Sequence, residues 1–155
     1  MKRWMYYLGV VALVAVLSAK PSAGQDIGKL QPVQVVCISV TEGLVTVQTD
    51  TEDLGVGETL VEAVCDMRKS AVGEVFLETA DHLLLSSDAK FLLSEAMQLL
   101  RPSCSLCWME GDPEPQALGL FLQIHPPEMT LKDYRAGKRN VPTLVTQNGR
   151  MQLVS

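Results

Sequence analysis

Between residues 33 and 154 the hydrophobic positions switch between a period of two and a period near 3.6. Val33 to Val40 and Leu44 to Thr49 are rich in valine and threonine, and Thr41-Glu42-Gly43 separates them, which predicts a β-hairpin. The polar stretch Asp50-Thr51-Glu52-Asp53 then leads through Gly55 and Gly57 into a helix. Leu60, Val61, Val64, Cys65 and Met67 are expected on one side of it. Glu58 and Glu62 at its start and Arg68 and Lys69 at its end complement the helix dipole. Gly73 follows, and Glu74 to Leu77 and His82 to Leu85 are apolar runs of strand length.

A second helix is expected from Ser86-Ser87-Asp88, where a side-chain oxygen can accept from a free backbone N–H. Phe91, Leu92, Glu95, Ala96, Leu99 and Leu100 continue it until Pro102 blocks extension. Ser103 to Met109 reads as a strand and Glu110 to Pro115 as a loop. Leu118 to Ile124 is apolar throughout and is assigned as another strand, before a short helix over Leu131 to Arg135. Val141 to Thr146 and Met151 to Val154 flank Asn148-Gly149, a dipeptide suited to a tight hairpin turn. No internal repeat interrupts this order. The pattern predicts an α/β chain of mixed α+β type: a single domain with a mixed sheet packed by two main helices.

The first two dozen residues differ in kind. Lys2 and Arg3 precede an uncharged apolar run from Leu8 to Ala19, and Ser22-Ala23-Gly24 supplies small residues before Gln25-Asp26. This is the layout of a secretory signal peptide. Residues 1–24 are therefore expected to be a signal segment, cleaved near Gly24 or retained as an anchor, and 25–155 the folded domain. The chain is expected to be exported, to the outer face of the membrane or beyond it. Every later apolar run is broken by charge before it reaches the ~20 residues of a membrane span.

Composition narrows the classes. A chain that is 47% hydrophobic and 20% charged has enough apolar surface to fold. Its net charge is −5, and Lys2, Arg3 and Lys20 account for three of 13 basic and none of 18 acidic side chains, so the remainder carries about −8. Such a domain offers no basic field for a phosphate backbone, and nucleic acid is excluded as a partner. The basic cluster from Arg135 to Arg139 reads as a solvated face. No small-molecule ligand is identifiable.

Four cysteines carry the candidate chemistry. Cys37 and Cys65 sit in apolar patterns and are expected as small buried hydrophobes. Cys104-Ser105-Leu106-Cys107 is sharper, since two thiols at this spacing can close a redox-active ring or supply half of a zinc site. A second ligand pair is missing and His82 and His125 stand alone, so neither a metal nor another cofactor is expected. Val141-Pro142-Thr143-Leu144 with Asn148-Gly149 resembles the proline-bearing strand and turn of thioredoxins. Against a redox role, Trp108 follows the second cysteine, an acidic Pro-rich loop stands where a thioredoxin continues as a helix, and a strand lacks the field that lowers a thiol pKa. A strand with two packed thiols or a passive disulfide is preferred. An exported thiol-disulfide protein using Cys104 and Cys107 is the alternative. Asp81-His82 lacks a nucleophile motif, and Gly55-Val56-Gly57 lacks a third glycine and is followed by anion-repelling Glu58 and Glu62. No catalytic residue is assigned, and the chain is expected not to be an enzyme.

The order of motifs resembles the amino-terminal domain of the spore germination receptor C-subunit family, Ger(x)C. The matching pieces are Gly57-Glu58-Thr59-Leu60 with Glu62-Ala63, Arg68-Lys69-Ser70, Phe76-Leu77, Asp81-His82 before an apolar strand, and a helix ending at Arg101. Farther on come Leu131-Lys132-Asp133-Tyr134, Gly137-Lys138, Val141-Pro142-Thr143 and Asn148 to Leu153. The resemblance spans residues 33 to 154. It implies a non-enzymatic, membrane-associated module that acts in spore germination by assembling with other germinant-receptor subunits in a spore-forming bacterium. Two departures stand out. The family carries a lipid-bearing cysteine just after its signal, whereas Ser18 to Gln25 contain none, and its members continue into further domains. The expectation is a stand-alone or shortened form of the family's first domain.

Overall fold

The computed structural model describes residues 30–111, 113–147 and 149–154, so the expected signal segment over 1–24 lies outside the described residues. A short strand, β1 (Leu30–Pro32), leads into the expected hairpin of β2 (Val35–Thr41) and β3 (Leu44–Thr49). Its turn is Glu42-Gly43, with φ of 54° and 83°. A two-residue turn with both φ positive matches the twist of the strands it joins. Alternation sorts the side chains: Val36, Ile38, Val45 and Val47 enter one core, and Val35 and Cys37 enter another on the opposite face.

The glycine lead-in is itself a strand, β4 (Leu54–Gly57), antiparallel to β3. Helix α1 (Leu60–Ser70) follows and buries Leu60, Ala63, Val64 and Met67. The expected apolar side is thus rotated: Val61 is 63% exposed and Cys65 lies on the surface. The cause is the close seat of α1 on β4. The glycines leave a notch that accepts the helix backbone at Ala63, and the helix turns its small residue inward.

Strand β5 (Glu74–Phe76) pairs in parallel with β1 as a separate two-stranded sheet. A 3₁₀ turn at Leu77–Thr79 then delivers β6 (His82–Ser86), which runs parallel to β2. The second helix departs from expectation at its start. Ser87–Leu92 is 3₁₀, only Leu93–Leu99 (α2) is α-helical, and the hydroxyl of Ser86 makes no capping bond. Ala89 and Leu92, three apart, are both buried, a spacing that a 3₁₀ turn stacks on one side. Phe91 falls on the other side and is exposed.

Strand β7 (Ser105–Glu110) lies parallel to β6. The run expected as a strand over Leu118 to Ile124 is instead the end of a helix, α3 (Pro115–Ile124). Pro115 in its first turn is a helix-start signal. Leu118 and Leu122, four apart, are buried while Leu120 and Ile124 are exposed. The chain next forms the expected α4 (Leu131–Arg135), and Thr130 and Asp133 make a reciprocal capping box at its start. It ends in β8 (Thr143–Gln147), parallel to β7, and β9 (Arg150–Val154), antiparallel to β8, with Gly149 at positive φ in the turn.

The main sheet has seven strands in the order β4-β3-β2-β6-β7-β8-β9. Among the described residues, helices α1, α2 and α4 pack into the core on one face, and α3 is the helix that packs on the other. This is the expected single domain of mixed α+β class.

Candidate functional site

The cysteine motif comes apart on the sheet. Side chains alternate along a strand, so residues three apart point to opposite faces. Cys104, just before β7, is fully buried in the core on the face that carries α1, α2 and α4, and Cys107 is buried in the core under α3. Both are free thiols, and burial pushes each up to about 12. At neutral pH both are protonated, and the thiolate required for disulfide exchange is scarce. Closing a ring between them would require breaking the strand. Cys107 has a packing role: it forms one row with Cys37 and Leu84 across β2, β6 and β7, beneath Leu118 and Leu122.

Two residues along the strands, the next row on the same face holds Val35, His82 and Ser105. Ring nitrogen Nδ1 of His82 and Oγ of Ser105 are 2.6 Å apart, and both residues are buried. Burial lowers the His82 pKa, chiefly by desolvating the imidazolium; Asp81 opposes that shift and Arg101 adds to it. A neutral imidazole tied to a hydroxyl joins two parallel strands. The carboxylate of Asp81 pairs with the Arg101 guanidinium, whose Nε also donates to the Ala80 carbonyl at 3.1 Å, so the end of the helical segment is tied to the entry of β6. Asp50 does the same for β2, accepting from the N–H groups of Gln34 and Val35 at 3.0 and 3.1 Å.

The Gly57 to Ala63 motif builds the joint between β4 and α1. Thr59 caps the helix by accepting from the Glu62 N–H, and Glu62 reaches back to the Glu58 N–H. At the other end Ser70 Oγ lies 3.1 Å from the Leu54 carbonyl, and Asp66 accepts from the Val56 N–H at 3.1 Å. Asp66 and Ser70 thus lie against two backbone groups on the free edge of β4, a role that their positions on a helix did not announce. The basic cluster is also tied down. Arg135 donates to the Met97 carbonyl, Arg139 stacks on Tyr134, and Lys138 pairs with Asp133, whose carboxyl is held down to about 2 by Lys138 and Thr130.

Among the described residues no three or more His, Cys, Asp or Glu side chains gather where they could hold a metal ion. Among the same residues no helix is long and apolar enough to cross a membrane. The molecule is thus a mixed α+β domain whose distinctive polar residues sit at the joints between its elements. Comparison with known proteins adds no relative: no family model, no curated protein and no solved structure matches the chain.

Proposed function

We propose that the chain is a non-enzymatic, exported module that works by protein–protein assembly at the membrane, of the germinant-receptor C-subunit type, in nutrient-triggered spore germination. One observation carries this reading: residues on which the resemblance rests do architectural work. Gly57 seats α1, Thr59 and Glu62 cap it, Ser70 reaches β4, His82 ties β6 to β7, and Arg101 anchors the second helical segment. In this reading the motif set belongs to the scaffold, and the function of such a scaffold resides in its surfaces. The partners in this reading are other germinant-receptor-like membrane subunits. The split and buried cysteines favour it over thiol-disulfide exchange.

The test is deletion of the gene in its spore-forming host, with nutrient-triggered germination followed by loss of optical density. The expected result is slower germination, restored by the wild-type gene, together with expression during sporulation. Unchanged germination kinetics and no expression during sporulation would sink the proposal.

A further inference from the structure

The two edges of the main sheet are treated differently. Backbone groups of an antiparallel pair alternate between pointing at the partner strand and pointing away. On β4 the outward groups belong to Leu54 and Val56, and of these the Leu54 carbonyl lies against Ser70 and the Val56 N–H donates to Asp66. On β9 the pairing starts at Gln147 with Arg150, across a two-residue turn. Counting from that closing pair, Arg150, Gln152 and Val154 bond to β8, and Met151 and Leu153 turn their N–H and C=O groups outward. No hydrogen bond to this outer side occurs among the described residues. An edge strand of five residues without proline, bulge or covering side chain is a template for another strand.

We propose that β9 pairs with β9 of a second copy of this chain, antiparallel about a two-fold axis at Gln152, and joins two seven-stranded sheets into one. The register follows from the strand itself. With Gln152 opposite its own copy, Met151 stands opposite the partner's Leu153, and the outward groups of both meet in four backbone hydrogen bonds. Arg150 stands opposite the partner's Val154, so no like charges face each other across the junction. The two Arg150 side chains are four residues apart along the strand, roughly 13 Å, beyond the ~8 Å screening length at physiological salt. The axis is perpendicular to the sheet, which keeps both α3 helices on one face. There Phe121, the exposed Ile124 and His125 line a cleft with Met151 and Leu153, and pairing sets the two clefts side by side. The other face presents Val145, Gln147, Arg150, Gln152 and Val154 beneath no helix among the described residues. This pairing goes beyond the germination reading and does not depend on it.

The experiment is sedimentation of the full chain in a mild detergent, combined with oxidative cross-linking in a Cys65→Ser background. The expected mass is that of two chains. Leu153→Pro deletes an outward donor without touching the β8 ladder and should shift the chain to monomer; Gln152→Lys, which sets two ammonium groups opposite each other, should weaken the dimer several-fold. Gln152→Cys places two cysteines at a non-hydrogen-bonded pair, where Cα atoms stand about 4.5 Å apart, within disulfide range. It should cross-link to dimer under mild oxidant, whereas Arg150→Cys should not. A monomer at tens of micromolar would overturn the proposal. So would a dimer indifferent to Leu153→Pro and Gln152→Lys, or equal cross-linking from positions 150 and 152. If Leu153→Pro unfolds the chain, the contrast between the two cysteine variants decides. A monomer would leave the germination phenotype to its own test.

Discussion

A Cβ atom placed on Gly55 would stand 2.0 Å from the carbonyl oxygen of Ala63. Strand β4 and helix α1 approach so closely that neither backbone has room for a side chain between them, and Gly57 meets the Ala63 nitrogen at 2.6 Å in the same sense. These atoms belong to the backbone and cannot turn aside. Gly55→Ala should therefore destabilise the protein by about 3 kcal/mol, near the upper end for overpacking, and lower Tm by roughly 10 °C. Thermal denaturation followed by circular dichroism checks this, and an unchanged Tm would refute the close seat.

Gly119 provides the contrast. It lies inside α3, and a Cβ there would meet Asp50 and Val35 at 3.9 Å, an ordinary contact. Gly119→Ala removes the entropic penalty of glycine in a helix without a clash and should stabilise by about 1 kcal/mol. A raised denaturation midpoint in urea with an unchanged slope is the expected result.

The thiols should differ sharply in reactivity. Cys65 is on the surface, while Cys104 and Cys107 are buried and pushed up to about 12. Brief treatment of the native protein with iodoacetamide, mapped by mass spectrometry, should modify Cys65 and leave Cys104 and Cys107 unlabelled until denaturant is added. Labelling of either buried thiol at the rate of Cys65 would reopen the redox reading.

The His82 pKa is lowered from the usual 6.5, first by burial. As pH falls, the unfolded chain takes up this proton before the folded chain does. Stability from the neutral imidazole is thus fully present above about pH 6.5, declines as pH drops through that value, and levels off below the folded pKa. Urea denaturation between pH 8 and 5 should show this slope, and His82→Asn should flatten it. An imidazole titration by NMR with a midpoint at or above 6.5 would contradict the assignment.

Thr59 accepts from the Glu62 N–H at the start of α1, and the Glu62 carboxylate accepts from the Glu58 N–H. Thr59→Ala should cost about 1 kcal/mol, and Thr59→Ser much less, because the serine hydroxyl can accept the same Glu62 N–H. Equal losses in the two variants would show that the methyl group rather than the hydrogen bond matters.

The parts legible in the sequence are those where one residue's chemistry decides the local geometry. Glu42-Gly43 and Asn148-Gly149 mark turns, and the valine and threonine alternation of β2 and β3 gives their two faces. The short helix α4 falls over Leu131 to Arg135, where it is expected. Helix α3 was not legible as such, because Leu118-Gly119-Leu120-Phe121-Leu122 is apolar at nearly every position and carries no period. Only the passage between parallel β7 and β8, with the sheet beneath, selects the helix. The rotation of α1 was hidden for a related reason: Leu60, Ala63, Val64 and Met67 and the set containing Val61 and Cys65 are both helical stripes, and the glycine notch on β4 chooses between them.

The candidate chemistry divides in the same way. Cys104-Ser105-Leu106-Cys107 shows its spacing in the sequence, but a pair three apart meets on a helix and separates on a strand, so the secondary structure decides whether it is a pair at all. Asp66 and Ser70 look like ordinary helix-surface residues until β4 is found beside them. By itself the sequence determined the class of fold, the hairpins, the acidic character and the absence of a basic field, because these depend on composition and on contacts between near neighbours. The tertiary structure alone decided which side of each helix is buried, which thiols share a core, and which sheet edge meets helix side chains, because those depend on contacts between residues far apart in the chain.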